Sequence, residues 1–282
     1  MSILTYSGRP IDCGDYIPPF SYTSKGWSTI TYGRNIWFAP NGACVYSSGT
    51  THKKLTYGTY GLTWQTVNTD SSSTYTKSIS GSQIWGIGNN RFYSGYSAQC
   101  TVQLSGTLYV NTFSSWTGLT NFYGNEVWSD GTNTYVSDDW GVTYVLDISN
   151  YSWAVKTWNG FNEIYGAEVW SDGNTFYYSH GTNQYVLDSS TDTWIPKTWN
   201  GVSDFDGYDV WKLGDRFYCS LGQTHYAIDP STSTVKQVYP GLNFLGRDVW
   251  SYDGTTFVSD HETFILSENT VNDNNFISYE TT

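Results

Sequence analysis

A five-residue motif occurs six times along the chain: glycine, two variable residues, valine or isoleucine, and tryptophan. The copies begin at Gly33, Gly81, Gly124, Gly166, Gly207 and Gly246. They are spaced by 48, 43, 42, 41 and 39 residues. Repeats of about 40 residues are typical of propeller blades. The chain is therefore expected to fold as six similar units that pack side by side.

Each unit divides again into short strands. In the fourth unit, the runs AEVWSD, TFYYS, QYVLD and TWIPKTW are separated by the turns DGN, HGTN and SSTD. Turns at intervals of roughly 8–12 residues between aromatic or β-branched runs indicate short antiparallel strands. No segment shows helical periodicity. Four strands in each of six units predict an all-β fold, a six-bladed β-propeller of four-stranded antiparallel blades.

The two ends of the chain decide how the ring closes. The last unit offers three clear strands, RDVWSY, TTFVSD and ETFILS. The segment FSYTSKG (residues 20–26) is predicted to supply the fourth, and FISY (residues 276–279) is the alternative. Residues 1–19 match no repeat and contain three prolines. They are predicted to form a short irregular N-terminal arm ahead of the propeller at residues 20–282.

The motif tryptophans and the turns that follow them have structural explanations. A large ring at an equivalent place in each blade is expected to fill the layer between neighbouring blades. These rings are Trp37, Trp85, Trp128, Trp170, Trp211 and Trp250. Trp153 and Trp194, on the outer strand, are expected to pack in the same way. Asp-Gly pairs such as Asp172-Gly173 supply the backbone angles that tight hairpins need.

Composition argues against several classes of function. The chain is 13% charged and carries a net charge of −12, so it has no basic surface for nucleic acid or for insertion at an anionic membrane. No apolar run reaches the roughly 18 residues of a membrane-spanning helix, and the first residues lack the features of a secretory signal. Four widely spaced cysteines predict free thiols, not a disulfide framework or a zinc cluster.

A polar residue always stands two positions before the motif tryptophan. These residues are Asn35, Gln83, Glu126, Glu168, Asp209 and Asp248. On the innermost strands they are candidates for a ring around the central channel, where four carboxylates would hold a cation. The alternative is that they bond to backbone groups or water between blades.

The turn between the second and third strands varies from blade to blade, whereas the opposite rim, which carries turns such as SDG, is monotonous. All four histidines lie in or beside the variable turns. Variable loops on one face of a rigid scaffold are typical of a binding surface, although loop tips also vary where nothing binds. The predicted ligand-binding residues are Tyr96, Asp138, Asp139, Trp140, His180, Gln223, His225 and His261.

Trp140 is the strongest of these candidates because no other blade has a tryptophan in this turn. Aromatic faces stack on sugar rings, while carboxylates and amides hydrogen-bond to sugar hydroxyl groups. The combination suits a carbohydrate ligand.

Several segments resemble kelch repeats. YVLDSSTDTW (185–194), YVLDISNYSW (144–153) and YAIDPSTSTV (226–235) are similar to the third kelch strand and its following turn. SDGNTFYYSHG is similar to the second strand, but it ends in one glycine where kelch repeats carry two. The resemblance covers about residues 33–270 and implies a kelch-like propeller, a fold that hosts enzymes, adaptors and lectins. SDDWGVTY (137–144) also resembles the sialidase Asp-box, which is a turn motif.

Short repeats rich in Tyr, Trp, Asn and Thr also resemble the propellers of bacteriophage structural and receptor-binding proteins. That resemblance implies a non-enzymatic virion protein, made in the host cytoplasm and placed in a phage tail, fibre or head appendage. Residues 1–19 would dock onto other virion proteins, and the variable turns would bind host-surface glycan or a neighbouring virion protein.

Two other functions stay open at this point. One is a free-standing cytoplasmic or surface propeller that acts as a lectin or binds proteins. The other is a kelch-type enzyme acting on sugars. No catalytic residue, metal or cofactor is predicted, because the sequence singles out no convergent set of acid–base groups or ligands.

Overall fold

The computed structural model describes residues 5–6, 9–10, 20–27, 32–58, 61–73, 78–113, 116–221, 223–238 and 242–268. These residues form six mainly antiparallel sheets arranged as propeller blades, which confirms the predicted all-β fold. A separate pairing joins Thr5–Tyr6 to Arg9–Pro10. The rest of the proposed arm and the FISY segment lie outside the described residues. No helix in the described part of the chain is long and apolar enough to span a membrane.

Each blade has four main strands, which follow one another from the channel outwards. Blade 1 has Ile36–Phe38, Cys44–Gly49, Thr51–Gly58 and Gly61–Thr66. Blade 2 has Ile84–Ile87, Asn90–Tyr96, Ala98–Ser105 and Thr107–Thr112. Blade 3 has Val127–Ser129, Thr134–Ser137, Thr143–Asp147 and Ser152–Val155.

The remaining blades repeat this order. Blade 4 has Val169–Ser171, Phe176–His180, Asn183–Asp188 and Thr193–Pro196. Blade 5 has Val210–Leu213, Arg216–Leu221, Thr224–Asp229 and Thr234–Val238. Blade 6 has Val249–Tyr252, Thr255–Asp260, Glu262–Glu268 and Phe20–Ser24. Short segments from the connections between blades add edge pairings: Ile79–Ser80, Phe122–Tyr123, Asn159–Gly160 and Asn200–Gly201.

The motif glycine begins a single 3₁₀ turn, and the innermost strand follows it. The six turns are Gly33–Asn35, Gly81–Gln83, Gly124–Glu126, Gly166–Glu168, Gly207–Asp209 and Gly246–Asp248. The strand predicted from AEVWSD therefore begins at Val169, two residues later than the sequence indicated. The polar position of the motif is the last residue of the turn, so it lies at the mouth of the channel.

Close contact between neighbouring blades explains why the motif requires glycine. The Cα of Gly166 lies against the backbone carbonyl oxygen of Glu126 in the preceding blade, and a Cβ there would overlap that oxygen. The same contact joins each neighbouring pair of blades, including Gly33 and Asp248, which belong to the first and last repeats. The blades thus meet backbone to backbone around the channel.

Substitution of Gly166 by alanine is expected to lower the free energy of unfolding by about 2 kcal/mol, because the neighbouring backbone must move to admit a methyl group. Urea denaturation measures this. The control is Gly88→Asn, at a left-handed turn position (φ 53°) with open space around it, where asparagine is tolerated. If Gly166→Ala is no more destabilising than the control, the close contact is not a constraint.

Aromatic rings fill the layers between blades, as predicted. The six motif tryptophans are between 4% and 8% exposed. Trp170, for example, stacks on Tyr177 of its own blade with 4.5 Å between ring centroids and lies 6.0 Å from Phe217 of the next blade. Its indole nitrogen donates a hydrogen bond of 2.9 Å to the buried hydroxyl of Ser179. Trp153 and Trp194 are likewise buried, on outer strands.

Blade 6 combines strands from both ends of the chain. Phe20–Ser24 pairs antiparallel with Glu262–Glu268 and forms the outer strand of this blade. The Phe20 ring is fully buried, 5.3 Å from the Trp211 ring and 5.5 Å from the Tyr218 ring of blade 5. The N-terminal strand therefore joins the ring both by backbone pairing and by aromatic packing.

Candidate functional site

One face of the propeller carries the turns between second and third strands, the connections between blades and the mouth of the channel. We call it the variable rim. Five of its turns contain one or two residues, whereas the blade 3 turn, 138–142, is longer. In blade 1 the residues THKK belong to the strand Thr51–Gly58, so only one residue is left in the turn before it. The blade 3 turn is therefore the longest of the six.

Trp140 lies in this longest turn and is 82% exposed. The Asp138 carboxylate is engaged within the turn itself. Its Oδ1 accepts hydrogen bonds from the backbone N–H groups of Trp140 and Val142, both at 2.9 Å. Backbone bonds of 3.0 Å between Asp138 and Val142 and between Gly141 and Asp138 complete the turn. Asp138 thus fixes the backbone that presents Trp140, and exposed Asp139 lies beside it.

A second aromatic group lies on the variable rim in blade 2. Tyr96 and Tyr123 are both partly exposed, with 5.5 Å between their ring centroids. Tyr96 has a positive φ of 56° at the tip of its turn, and its backbone carbonyl accepts a 2.7 Å hydrogen bond from the Gln99 amide. This bond fixes the backbone of the turn that carries the Tyr96 ring.

The four histidines divide into two pairs. His180 and His261 are at the surface, but His52 and His225 are on third strands with buried side chains. His225 is 1% exposed, and its Nδ1 lies 3.0 Å from the Ser220 hydroxyl. The prediction that His225 contributes to the binding surface is wrong, because the strand alternation turns it inwards. Exposed Gln223, which lies 3.4 Å from the Asn243 amide, is at the surface.

The polar position of the motif links each blade to the next. Glu168 Oε2 accepts a hydrogen bond from the Tyr208 N–H at 3.2 Å, and Glu126 Oε2 accepts one from the Ala167 N–H at 3.3 Å. Asp209 and Asp248 make the equivalent bonds to Arg247 and Arg34, and Asn35 instead accepts one from Ser80. These side chains bond to the neighbouring blade, as the second sequence interpretation expected.

Burial changes the acid–base behaviour of these carboxylates. It raises the pKa values of Glu126, Asp209 and Asp248. It raises the pKa of Glu168 to about 7, and repulsion from Asp206 acts in the same direction. The mouth of the channel therefore holds acidic groups whose charged forms are poorly solvated.

A cavity is lined by residues that sequence reasoning missed. It has a volume of about 440 Å³, and its lining includes Arg34, Ser82, Tyr208 and Arg247. Each of these follows a motif glycine, where the six repeats read Arg, Ser, Asn, Ala, Tyr and Arg. The sequence signal for these residues was the variation at the position after the motif glycine, within a turn that is otherwise constant. It places two guanidinium groups in the cavity of an acidic protein.

The structure also brings together residues that were predicted separately. His180 Nδ1 lies 3.7 Å from a carboxylate oxygen of Glu168 and 3.7 Å from one of Asp206. Asp206 was not among the predicted site residues because it stands in a connection between blades. His261 is further round the ring, 3.7 Å from Asp260 and beside the Tyr32 ring.

Comparison with solved structures shows domains of similar fold. The extracellular domain of a putative one-component system from B. thetaiotaomicron matches with a TM-score of 0.54 and 10% identity over 88% of this chain. A second structure of the same extracellular domain, described there as part of a putative hybrid two-component system, gives a TM-score of 0.54 and 9% identity over 91% of this chain. This chain spans 40% of the length of each. At this identity the likeness shows the fold alone.

Sequence comparisons give no further assignment. No family model matches the chain, and no curated protein matches it.

The expected virion location is wrong. The solved structures of similar fold named above are extracellular domains of bacterial signalling systems, which contradicts a virion location. The predicted docking of residues 1–19 onto other virion proteins depended on that location and is dropped with it.

Proposed function

We propose that this chain is a non-enzymatic, extracellular binding module that recognises carbohydrate on the variable rim. The observation that carries the proposal is Trp140, an 82% exposed indole on a turn fixed by its own hydrogen bonds. At this exposure the indole contributes little to packing. A flat aromatic face with a carboxylate beside it, Asp139, suits the apolar face and the hydroxyl groups of a sugar ring.

Three further observations support this function. The Tyr96–Tyr123 pair adds aromatic surface to the same rim. Rigid aromatic groups bind with little loss of conformational entropy, because their side chains have few rotatable bonds. The kelch-like segments are compatible with a lectin, and the solved structures of similar fold are extracellular domains.

Replacement of Trp140 by alanine is expected to weaken glycan binding at least tenfold, because the stacking face is lost. Thermal unfolding should be unchanged, since the side chain packs on little else. A glycan array followed by calorimetry with the best ligand measures both effects. Asp138→Ala should weaken binding as well, through loss of the two hydrogen bonds that shape the turn.

The matched control is Tyr57→Ala. Tyr57 is also strongly exposed, but it lies on the opposite rim, where its hydroxyl donates a hydrogen bond to Asp253. It should leave glycan binding intact. If the wild-type protein binds no glycan, or if Trp140→Ala binds as well as wild type, carbohydrate recognition by this turn is wrong.

A further inference from the structure

We infer that Glu168, His180 and Asp206 form a binding site for one divalent transition-metal ion of the zinc type, at the channel mouth between blades 4 and 5. One potential ligand atom from each residue lies within 4.8 Å of the others. Zinc accepts histidine nitrogen and carboxylate oxygen at about 2.0–2.2 Å, so tetrahedral ligands lie about 3.4 Å apart. The two 3.7 Å separations from His180 Nδ1 need only a small closure.

Each of the three side chains is held by an independent contact. Glu168 Oε2 accepts a hydrogen bond from the Tyr208 N–H, which leaves Oε1 directed at His180. Asp206 Oδ1 accepts a 2.8 Å bond from the Gly181 N–H. The Tyr165 ring lies 5.6 Å from the His180 ring. Contacts of this kind orient metal ligands before the ion arrives.

The other blades show that the fold does not require these residues. The backbone register defines three equivalent positions in every blade. They are the last residue of the 3₁₀ turn, the residue two places after the second-strand partner of the first inner-strand residue, and the residue before the next motif glycine. In blades 1 and 2 the second and third positions are paired strand neighbours. The five other sets are Asn35, Ser48, Ser80; Gln83, Gly95, Tyr123; Glu126, Asp138, Tyr165; Asp209, Leu221, Leu245; and Asp248, Asp260, Tyr32.

Only blade 4 supplies histidine, aspartate or glutamate at all three positions. In blade 5 two of the three are leucine, and in blade 3 the aspartate is used within its own turn. The second and third positions hold leucine, tyrosine or serine in other blades, so the fold does not require a histidine and a carboxylate there. A mixed imidazole and carboxylate set favours zinc-type ions over calcium or magnesium, which prefer oxygen ligands alone.

Calorimetric titration of the full chain with Zn²⁺ tests this inference. Wild type should bind one ion, and Co²⁺ bound in its place should give a visible absorption spectrum. His180→Ala and Glu168→Gln should each weaken binding at least tenfold. Glu168→Gln retains an acceptor for the Tyr208 N–H, so it separates loss of a ligand from loss of the contact between blades.

His261→Ala is the matched control, because His261 is also a surface histidine on this rim with a single carboxylate nearby. It should bind Zn²⁺ as wild type does. Absence of Zn²⁺ binding by wild type overturns the site, as does equal binding by wild type and His180→Ala. The inference is independent of the carbohydrate proposal, since it is tested with the ion alone and Trp140→Ala should bind zinc normally.

Discussion

A chain that begins at residue 27 is expected not to form the closed propeller, whereas a chain that begins at residue 20 should fold. The difference is the outer strand of blade 6. Without Phe20–Ser24, the strand Glu262–Glu268 becomes an unpaired edge with exposed backbone groups, which favours aggregation. The layer between blades 5 and 6 also loses a ring that packs against Trp211 and Tyr218.

A single substitution tests the packing part of this argument. Phe20→Ala is expected to lower the free energy of unfolding by about 4 kcal/mol, the usual cost of truncating a fully buried phenylalanine. Chemical denaturation followed by tryptophan fluorescence measures it. Tyr22 is two residues along the same strand and 40% exposed, so Tyr22→Ala is expected to cost less than about 1 kcal/mol. Equal losses from the two variants would mean that Phe20 does not anchor the ring.

The repeat made the fold predictable from the sequence because the same blade pattern occurs six times. Each blade of this propeller buries a tryptophan at an equivalent position. Because these tryptophans recur about every 40 residues, the sequence alone identifies the position. The exact start of the inner strand was not predictable. The 3₁₀ turn at Gly166–Glu168 depends on contact with the preceding blade, and no local pattern encodes that contact.

The site was less predictable because it depends on which way individual side chains point. Trp140 was found from its irregular position in an otherwise regular repeat. His225 was placed on the surface because it adjoins a turn, but the pairing of Ser220 with His225 puts it inside. Asp206 lies 26 residues after His180 in sequence, and only the closure of one blade on the next brings the two together.

The buried position of His225 leads to an expected loss of stability in acid. Burial lowers the pKa of His225 to about 4, against an ordinary value of 6.5. The unfolded chain therefore binds a proton at this residue below about pH 6.5, whereas the folded chain does so only near pH 4. Stability is fully present above pH 6.5 and falls as the pH drops through this window. The shift corresponds to about 3 kcal/mol.

Other groups also titrate over this range, so the effect must be measured as a difference between two proteins. Blades 2 and 4 place Gln99 and Gln184 opposite the buried serine where blade 5 has His225. His225→Gln therefore substitutes a residue that the same position already accepts. Between pH 7 and pH 4, wild type is expected to lose about 3 kcal/mol more stability than this variant.

Urea denaturation at several pH values gives the two curves. His261→Gln is the control, because it replaces a histidine whose side chain is 72% exposed, and it should follow the wild-type curve. Parallel curves for wild type and His225→Gln would show that the His225 side chain reaches water in the folded protein. A gap that opens as the pH falls would instead place a neutral imidazole inside the layer between blades 5 and 6, where the ring of Phe244 lies 4.4 Å from it.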